Sequence, residues 1–232
     1  MTVGIIGYGR FGRFLSKHMK NYFDVFAYDI KKIKPLPGVT VCNLSSAASK
    51  NIVIISVSIR NFKDVLISIK QFLREDSIII DVCSVKEYPV RLMKKYLPKN
   101  VNLLGTHPLF GPDSFKQGSR NNKIILYPIR IKQEYYNIIK KELFKFGLEI
   151  IEMTPQKHDK IMAYTQTLLH LTARSFHNIM RREYYSTTTN YDKAIKIFNL
   201  LLKDSEELLE DMLKFNRYSE KAKMEFLRYF NK

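Results

Sequence analysis

The sequence predicts an α/β fold: a doubly wound, mostly parallel sheet over residues 1–154, followed by an all-α domain over residues 155–232. Three observations carry this. Short apolar runs alternate with segments of helical spacing through the first two thirds of the chain. Those runs are almost continuous in Val and Ile, as in strands covered on both faces by helices. Beyond about residue 155 the strand-like runs stop and the spacing becomes wholly helical.

The elements follow in order. "TVGIIG" (2–7) is a short β-branched run that stops at glycine. "RFGRFLSKHMKNY" (10–22) places Phe11, Phe14, Leu15 and Met19 at helical spacing. "DVFAYDI" (24–30) is strand-like, and "IKPLPGV" (33–39) is a proline-marked loop. "NIVIISVSI" (51–59) is a buried strand and "NFKDVLISIKQFL" (61–73) a helix. "DSIIIDVCS" (76–84) is a second buried strand. "PVRLMKKYL" (89–97) is helical, with Pro89 near the first turn where proline is tolerated. "VNLLGTH" (101–107) and "NKIILYP" (122–128) are two more strands. Residues 156–185 contain no turn residue and read as one long, largely apolar helix, which must be buried against another domain or another subunit. Residues 191–216 and 219–230 are also helical.

Composition narrows the function classes. The 232 residues include two cysteines, Cys42 and Cys83, too few for a disulfide framework or a zinc site. No apolar stretch approaches a membrane span, and the N-terminus has no signal-peptide pattern, so the expectation is a cytoplasmic protein without a membrane partner. The net charge is +17. The lysines are spread along the chain with no basic block interleaved with aromatics. This fits a generally Lys-rich surface, as AT-rich codons would give, rather than a nucleic-acid interface. A positive field would still attract anionic ligands.

"GYGRFG" (7–12) fits G-x-G-x-x-G between a predicted strand and a predicted helix, the context that turns a weak motif into a dinucleotide cradle. Gly7 allows the tight turn, Gly9 lets backbone approach a pyrophosphate, and Gly12 lets helix and strand pack closely. Free N–H groups at the helix start then face the phosphates. The expected cofactor contacts are Gly7, Gly9, Arg10, Phe11, Gly12, Asp29 and Ser56. Asp29 closes the second strand, where an acid bonds the ribose 2′-hydroxyl of NAD and repels the 2′-phosphate of NADP. Lys31 and Lys32 soften that preference, so NAD is expected and NADP is the alternative. The motif in this context predicts a Rossmann-type domain.

"GTHPLFGPDS" (105–114) puts His107 at the end of an apolar strand. Three readings compete for it: a satisfied structural side chain, a metal ligand, or a proton acceptor. No second ligand stands at a recognised metal spacing, so no metal is expected. Ligands of open α/β sheets bind at the carboxyl ends of strands. The glycine loop, Ser84 and His107 each follow a strand, so they should meet at one crevice.

Three stretches together, "DVCSVK" (81–86), "GTHPLFGPDS" (105–114) and "HDKIMAYTQTLLHLTA" (158–173), resemble the prephenate/arogenate dehydrogenase family across essentially the whole chain. The resemblance implies an NAD(P)-dependent oxidative decarboxylation of prephenate or arogenate in tyrosine biosynthesis. It also implies a Rossmann domain followed by a helical dimerisation domain, hence a homodimer. His107 matches the family's catalytic histidine, which engages the ring hydroxyl; Ser84, of S-V-K, contacts the same hydroxyl near the nicotinamide. His170 matches a histidine that lines the substrate pocket, and "HD" (158–159) matches the helix start, read as structural.

The sequence departs from the family in one place. Many prephenate dehydrogenases carry a Thr-Arg pair shortly before Asp-Pro, and the arginine binds a substrate carboxylate. Here "FNLLLKDSEELL" (198–209) has Asn199 or Leu200 where the arginine belongs and Ser205 in place of proline. "DS-x-E-L" resembles the arogenate-type branch. Arg174, Arg181, Arg182 and Arg217 are the cations available in the helical part. No chorismate mutase or regulatory domain is expected from this sequence. Two rivals remain: another Rossmann dehydrogenase with a helical domain, of the 3-hydroxy-acid or imine reductase type, and a dinucleotide-binding sensor without catalysis.

Overall fold

The structure is a computed structural model describing residues 1–116, 122–180 and 187–230. It divides into two compact units, Met1–Pro155 and Gln156–Lys232.

The first unit is built on an eight-stranded sheet. Strands β1 (Thr2–Ile6), β2 (Asp24–Tyr28), β3 (Val39–Val41), β4 (Ile52–Ile55), β5 (Ile78–Asp81), β6 (Asn102–Pro108), β7 (Lys123–Arg130) and β8 (Glu149–Glu152) lie in the order β3-β2-β1-β4-β5-β6-β7-β8. All neighbours pair in parallel except β6 and β7, which are antiparallel. The sheet is therefore doubly wound and mostly parallel, with strand order reversing between β1 and β4, where such sheets bind ligands. Burial explains the Val/Ile runs: all four residues of β4 and all seven of β6 are buried.

Helices α1 (Arg10–Met19), α2 (Leu44–Ala48), α3 (Phe62–Ile69), α4 (Glu87–Tyr96) and α5 (Gln133–Lys145) connect the strands. Leu15 and Met19 of α1 pack on a core of Val3, Ile5, Val25, Ala27, Ile52 and Ile54. A second cluster, Leu104, Ile124, Leu126, Tyr136 and Leu148, closes the antiparallel end.

Several sequence expectations change. The proline-marked loop runs directly into β3, and α2 follows it; neither was foreseen. α5 and β8 were also unforeseen. Strand β8 is only half apolar, because Glu149 and Glu152 flank Ile150 and Ile151.

In the second unit the helix expected over 156–185 runs from Pro155 to Ile179 and carries a π-helical turn in its middle. α6 (Pro155–Met162) passes into a π-helical turn at Ala163–Thr167 and then into α7 (Leu168–Ile179), which stops at Met180 with ψ +46°. Residues 181–186 lie outside the described residues. Burial follows one stripe, Met162, Ala163, Thr167, His170 and Ala173. Leu169, Phe176 and Ile179 on other faces are exposed in the chain. The helix expected over 191–216 is two: α8 (Thr189–Leu201) and α9 (Glu206–Phe215). The break comes at Ser205, whose hydroxyl accepts from the Leu208 N–H and so starts a new helix. α10 (Ser219–Phe230) closes the unit.

Candidate active site

The parallel register sets the site. Ile6, Ile55, Asp81 and Gly105 stand in one row across β1, β4, β5 and β6. The residues just past that row lie along one carboxyl edge: Gly7 after β1, Ser56 after β4, Cys83 and Ser84 after β5, and Thr106 and His107 on β6. Asp29 extends the edge past Tyr28, the partner of Ile6 on β2. The first unit thus brings together Ser84, His107 and every residue expected to hold the cofactor.

The glycine loop is shaped by close approach. Gly7 has φ +95°, and its N–H donates to Tyr28 O at 2.9 Å. A Cβ at Gly7 would lie 2.4 Å from Ser56 O, and one at Gly12 would lie 2.0 Å from Gly7 O. Only glycine lets the start of α1 sit so close to the loop. At Gly9, the N-cap of α1, an added Cβ meets nothing within 4 Å. The loop is therefore tight on its inner side and open at the helix N-terminus, where no side chain caps the free N–H groups. That arrangement fits a pyrophosphate. The Asp29 carboxylate supports the loop, accepting from Tyr8 N at 2.7 Å and Lys31 N at 2.9 Å.

Arg10 and Phe11 have further roles. The Arg10 guanidinium pairs with Asp113, part of the segment that follows His107. Phe11 packs on Phe14, which joins His18, Phe110, Phe115 and Phe146 in an aromatic cluster with centroid separations of 4.7–6.2 Å. The ion pair and the cluster dock the segment after His107 onto the helix that opens at the glycine loop.

His107 is buried, 4% exposed, opposite Ile125 in the β6–β7 pair. Ser84 is 8% exposed, and its Oγ is buried with no hydrogen-bond partner in the structure. A buried hydroxyl left unpartnered is costly, so this Oγ is a natural contact for a bound molecule.

Asp81 and Lys86, missed in the sequence, form a buried pair, 0% and 1% exposed. Lys86 Nζ also donates to Thr106 O. Asp81 accepts from Cys83 N at 3.0 Å and Thr106 N at 3.3 Å, and Thr106 Oγ1 donates to Asp81 O at 2.7 Å. Burial pushes the Asp81 carboxyl up, while the Lys86 ammonium and the two backbone N–H groups oppose the shift. The signal available was an acid ending the apolar run "IIID", with a lysine five residues on.

The second unit holds His170, 3% exposed on α7, with Nε2 3.9 Å from Asp204 Oδ2. Burial lowers its pKa; Asp204 raises it and Arg174 lowers it further. Arg174, one turn on, donates to Asp204 O at 2.6 Å, and its Nε is buried without a hydrogen bond in the structure. Arg217 bonds the Tyr218 hydroxyl at 2.8 Å. Arg181 and Arg182 lie outside the described residues. His158 Nδ1 and Asp159 Oδ1 are 2.7 Å apart and fully buried, and Asn216 Nδ2 donates to Asp159 O at 2.7 Å. Among the described residues no group of three or more His, Cys, Asp or Glu could hold a metal, and no helix is long and apolar enough to cross a membrane.

Comparison with known proteins decides the family. Residues 24–152, more than half of the chain, match the nucleotide-binding domain of prephenate dehydrogenase. The chain belongs to the prephenate dehydrogenase family. Its first unit is that family's nucleotide-binding domain. Arogenate dehydrogenases 1 and 2 of Arabidopsis thaliana, both chloroplastic, are 29% and 27% identical to it over 93% of this chain. The chain spans 36% and 64% of their respective lengths. Among solved structures, prephenate dehydrogenase from A. aeolicus, crystallised with hydroxyphenyl propionate and NAD+, has the same fold. The TM-score is 0.79 with 22% identity, covering all of this chain and 88% of the other.

Proposed function

We propose that this member of the prephenate dehydrogenase family catalyses the NAD-dependent oxidative decarboxylation of prephenate or arogenate, a step of tyrosine biosynthesis. The observation that carries the reading is the carboxyl edge of the sheet. There an open glycine cradle follows β1, an unpartnered serine hydroxyl follows β5, and a buried histidine stands near the end of the neighbouring β6.

Bound NAD would accept a hydride from the ring carbon that bears the hydroxyl. Gly7, Gly9, Gly12 and the N-terminus of α1 would hold its pyrophosphate, and Asp29 would take the ribose 2′-hydroxyl, which favours NAD over NADP. Ser84 Oγ bonds the substrate's ring hydroxyl. His107 takes the proton from that hydroxyl as it becomes a carbonyl. The ring then loses its carboxylate as CO2, and the phenolate left behind takes a proton back from His107. Aromatisation drives the loss of CO2. His170, matched to a pocket-lining histidine of the family, would contribute to substrate binding; burial lowers its pKa. We also propose a homodimer through the helical unit, where Leu169, Phe176 and Ile179 are exposed in the single chain.

The test is to supply prephenate and arogenate separately with NAD and follow NADH absorbance. Turnover of either supports the reading, and the better substrate names the branch. NADH binding without turnover of either would favour a non-catalytic sensor. Turnover of a 3-hydroxy acid or an imine instead would favour another Rossmann dehydrogenase.

A further inference from the structure

We infer that Asp81 and Lys86 are positioning residues that fix Ser84 and His107 relative to each other, an inference that rests on the function proposed above. The geometry centres on Thr106, the residue before His107. Its N–H goes to the Asp81 carboxylate, its C=O to the Lys86 ammonium, and its hydroxyl to the Asp81 carbonyl. Both peptide groups flanking Thr106 are therefore held from the β5 side, including the one that leads into His107. The same carboxylate accepts from Cys83 N, next to Ser84. Ser84 thus sits inside the six-residue segment 81–86, closed at its two ends by the Asp81–Lys86 pair.

This is more than strand pairing. The backbone register of β5 and β6 ends at Asp81 and Gly105. Past that row, side chains take over the cross-strand bonds at the point where the reacting groups lie. Stability alone does not account for the arrangement, because burying a Lys–Asp pair this completely costs about as much as it returns, and apolar residues of similar volume often serve as well. A polar pair aimed at named backbone atoms instead fixes one conformation. A shift of about 1 Å between reacting groups can cost about 100-fold in rate.

The experiment compares Lys86→Met, the double variant Asp81→Asn/Lys86→Met, Thr106→Val and Thr106→Ser. Thermal midpoint, NADH affinity, kcat with its pH profile, and the NMR resonances and titration of the His107 ring are read for each. Lys86→Met leaves a buried carboxylate without its cation and should lower the midpoint. The double variant should recover most of that midpoint and bind NADH within about twofold of the parent, yet keep kcat about 100-fold down. Its pH profile should take the form given by His107→Asn, and its His107 resonances should be displaced. Thr106→Val should lower kcat less, and Thr106→Ser, which keeps the hydroxyl, should restore it.

Unchanged His107 resonances and titration in the double variant would overturn the inference, whatever the activity. A double variant with parental midpoint and parental kcat would overturn it as well, leaving the pair a purely structural role. Displaced resonances in a protein that oxidises neither prephenate nor arogenate would support the positioning geometry and sink the functional reading instead.

Discussion

Replacing Gly12 and Gly9 one at a time separates the two jobs of the glycine loop. A Cβ at Gly12 would lie 2.0 Å from Gly7 O and 3.3 Å from Ile5 Cγ2. Real side chains essentially never come nearer than 3.0 Å, so in Gly12→Ala the first turn of α1 must retreat by about 1 Å or the core must give way. Overpacking of this kind costs about 1–3 kcal/mol. The better helix propensity of alanine returns up to about 1 kcal/mol. A net loss of about 1–2 kcal/mol lowers the melting midpoint by about 3–6 °C in a unit of this size. The retreat also draws the N-terminal N–H groups away from the phosphates. Losing one such charge-assisted bond, about 1.5–3 kcal/mol, weakens NADH binding about 10–100-fold.

Gly9→Ala should behave differently. Its φ of −66° suits alanine, and the added Cβ meets no protein atom within 4 Å. The stability cost is then only that of alanine at an N-cap, below about 1 kcal/mol. The methyl group would instead occupy the space the pyrophosphate needs, so NADH affinity should fall by at least about 10-fold. Titrating NADH fluorescence alongside thermal melts of both variants gives all four numbers. Parental NADH affinity in Gly9→Ala would refute the assignment of this loop as the cradle.

Two further outcomes are expected. Asp29→Ser should raise the ratio of NADP to NAD use in steady-state kinetics, because it removes the charge that repels a 2′-phosphate; an unchanged ratio would remove Asp29 from cofactor selection. Stability should also fall in acid. Burial holds the His170 imidazole below its ordinary value of 6.5 in the folded state. The unfolded chain therefore binds the proton first as pH drops through 6.5, and stability present above that pH is lost down to the folded value. The slope is at most about 1.4 kcal/mol per pH unit for this one group. Denaturant midpoints measured from pH 8 to 5 should show the loss, and His170→Gln should flatten it; a parental slope in that variant would place the sensitivity elsewhere. His18 shifts in the same direction through burial and Lys17, so part of the slope should persist.

Much of the fold was legible because burial on both faces leaves its mark on composition. The runs at β4 and β5 are nearly pure Val and Ile, β1 and β6 carry shorter apolar runs, and each ends at or near a residue of the site. Elements held mainly by their neighbours were not legible. β3 has three residues and only Val39 buried, and α2 has five. The antiparallel direction of β7 is a matter of tertiary pairing, which periodicity does not encode. The turn at Ala163–Thr167 keeps helical composition while changing its hydrogen bonding, so "AYTQT" gave no sign of it. Ser205 carries an N-cap signal, but helical spacing on both sides of it hides the break.

The candidate site divides in the same way. Gly7, Asp29, Ser84 and His107 stand at or just past strand ends, and Gly9 and Gly12 in the glycine motif that opens α1, and the sequence shows them. The links among them cross between elements, as Arg10 with Asp113 and Lys86 with Thr106 do, and only the folded chain shows those.

The central claim is that His107 accepts the proton of the substrate hydroxyl, and His107→Asn tests it most directly. Asparagine keeps a hydrogen-bonding side chain of similar reach but cannot take up a proton near neutral pH. The variant should fold, bind NADH with parental affinity and turn over about 100- to 10,000-fold more slowly, the range general-base catalysis supplies. Turnover within a few-fold of the parent in a folded, NADH-binding His107→Asn protein would contradict the account.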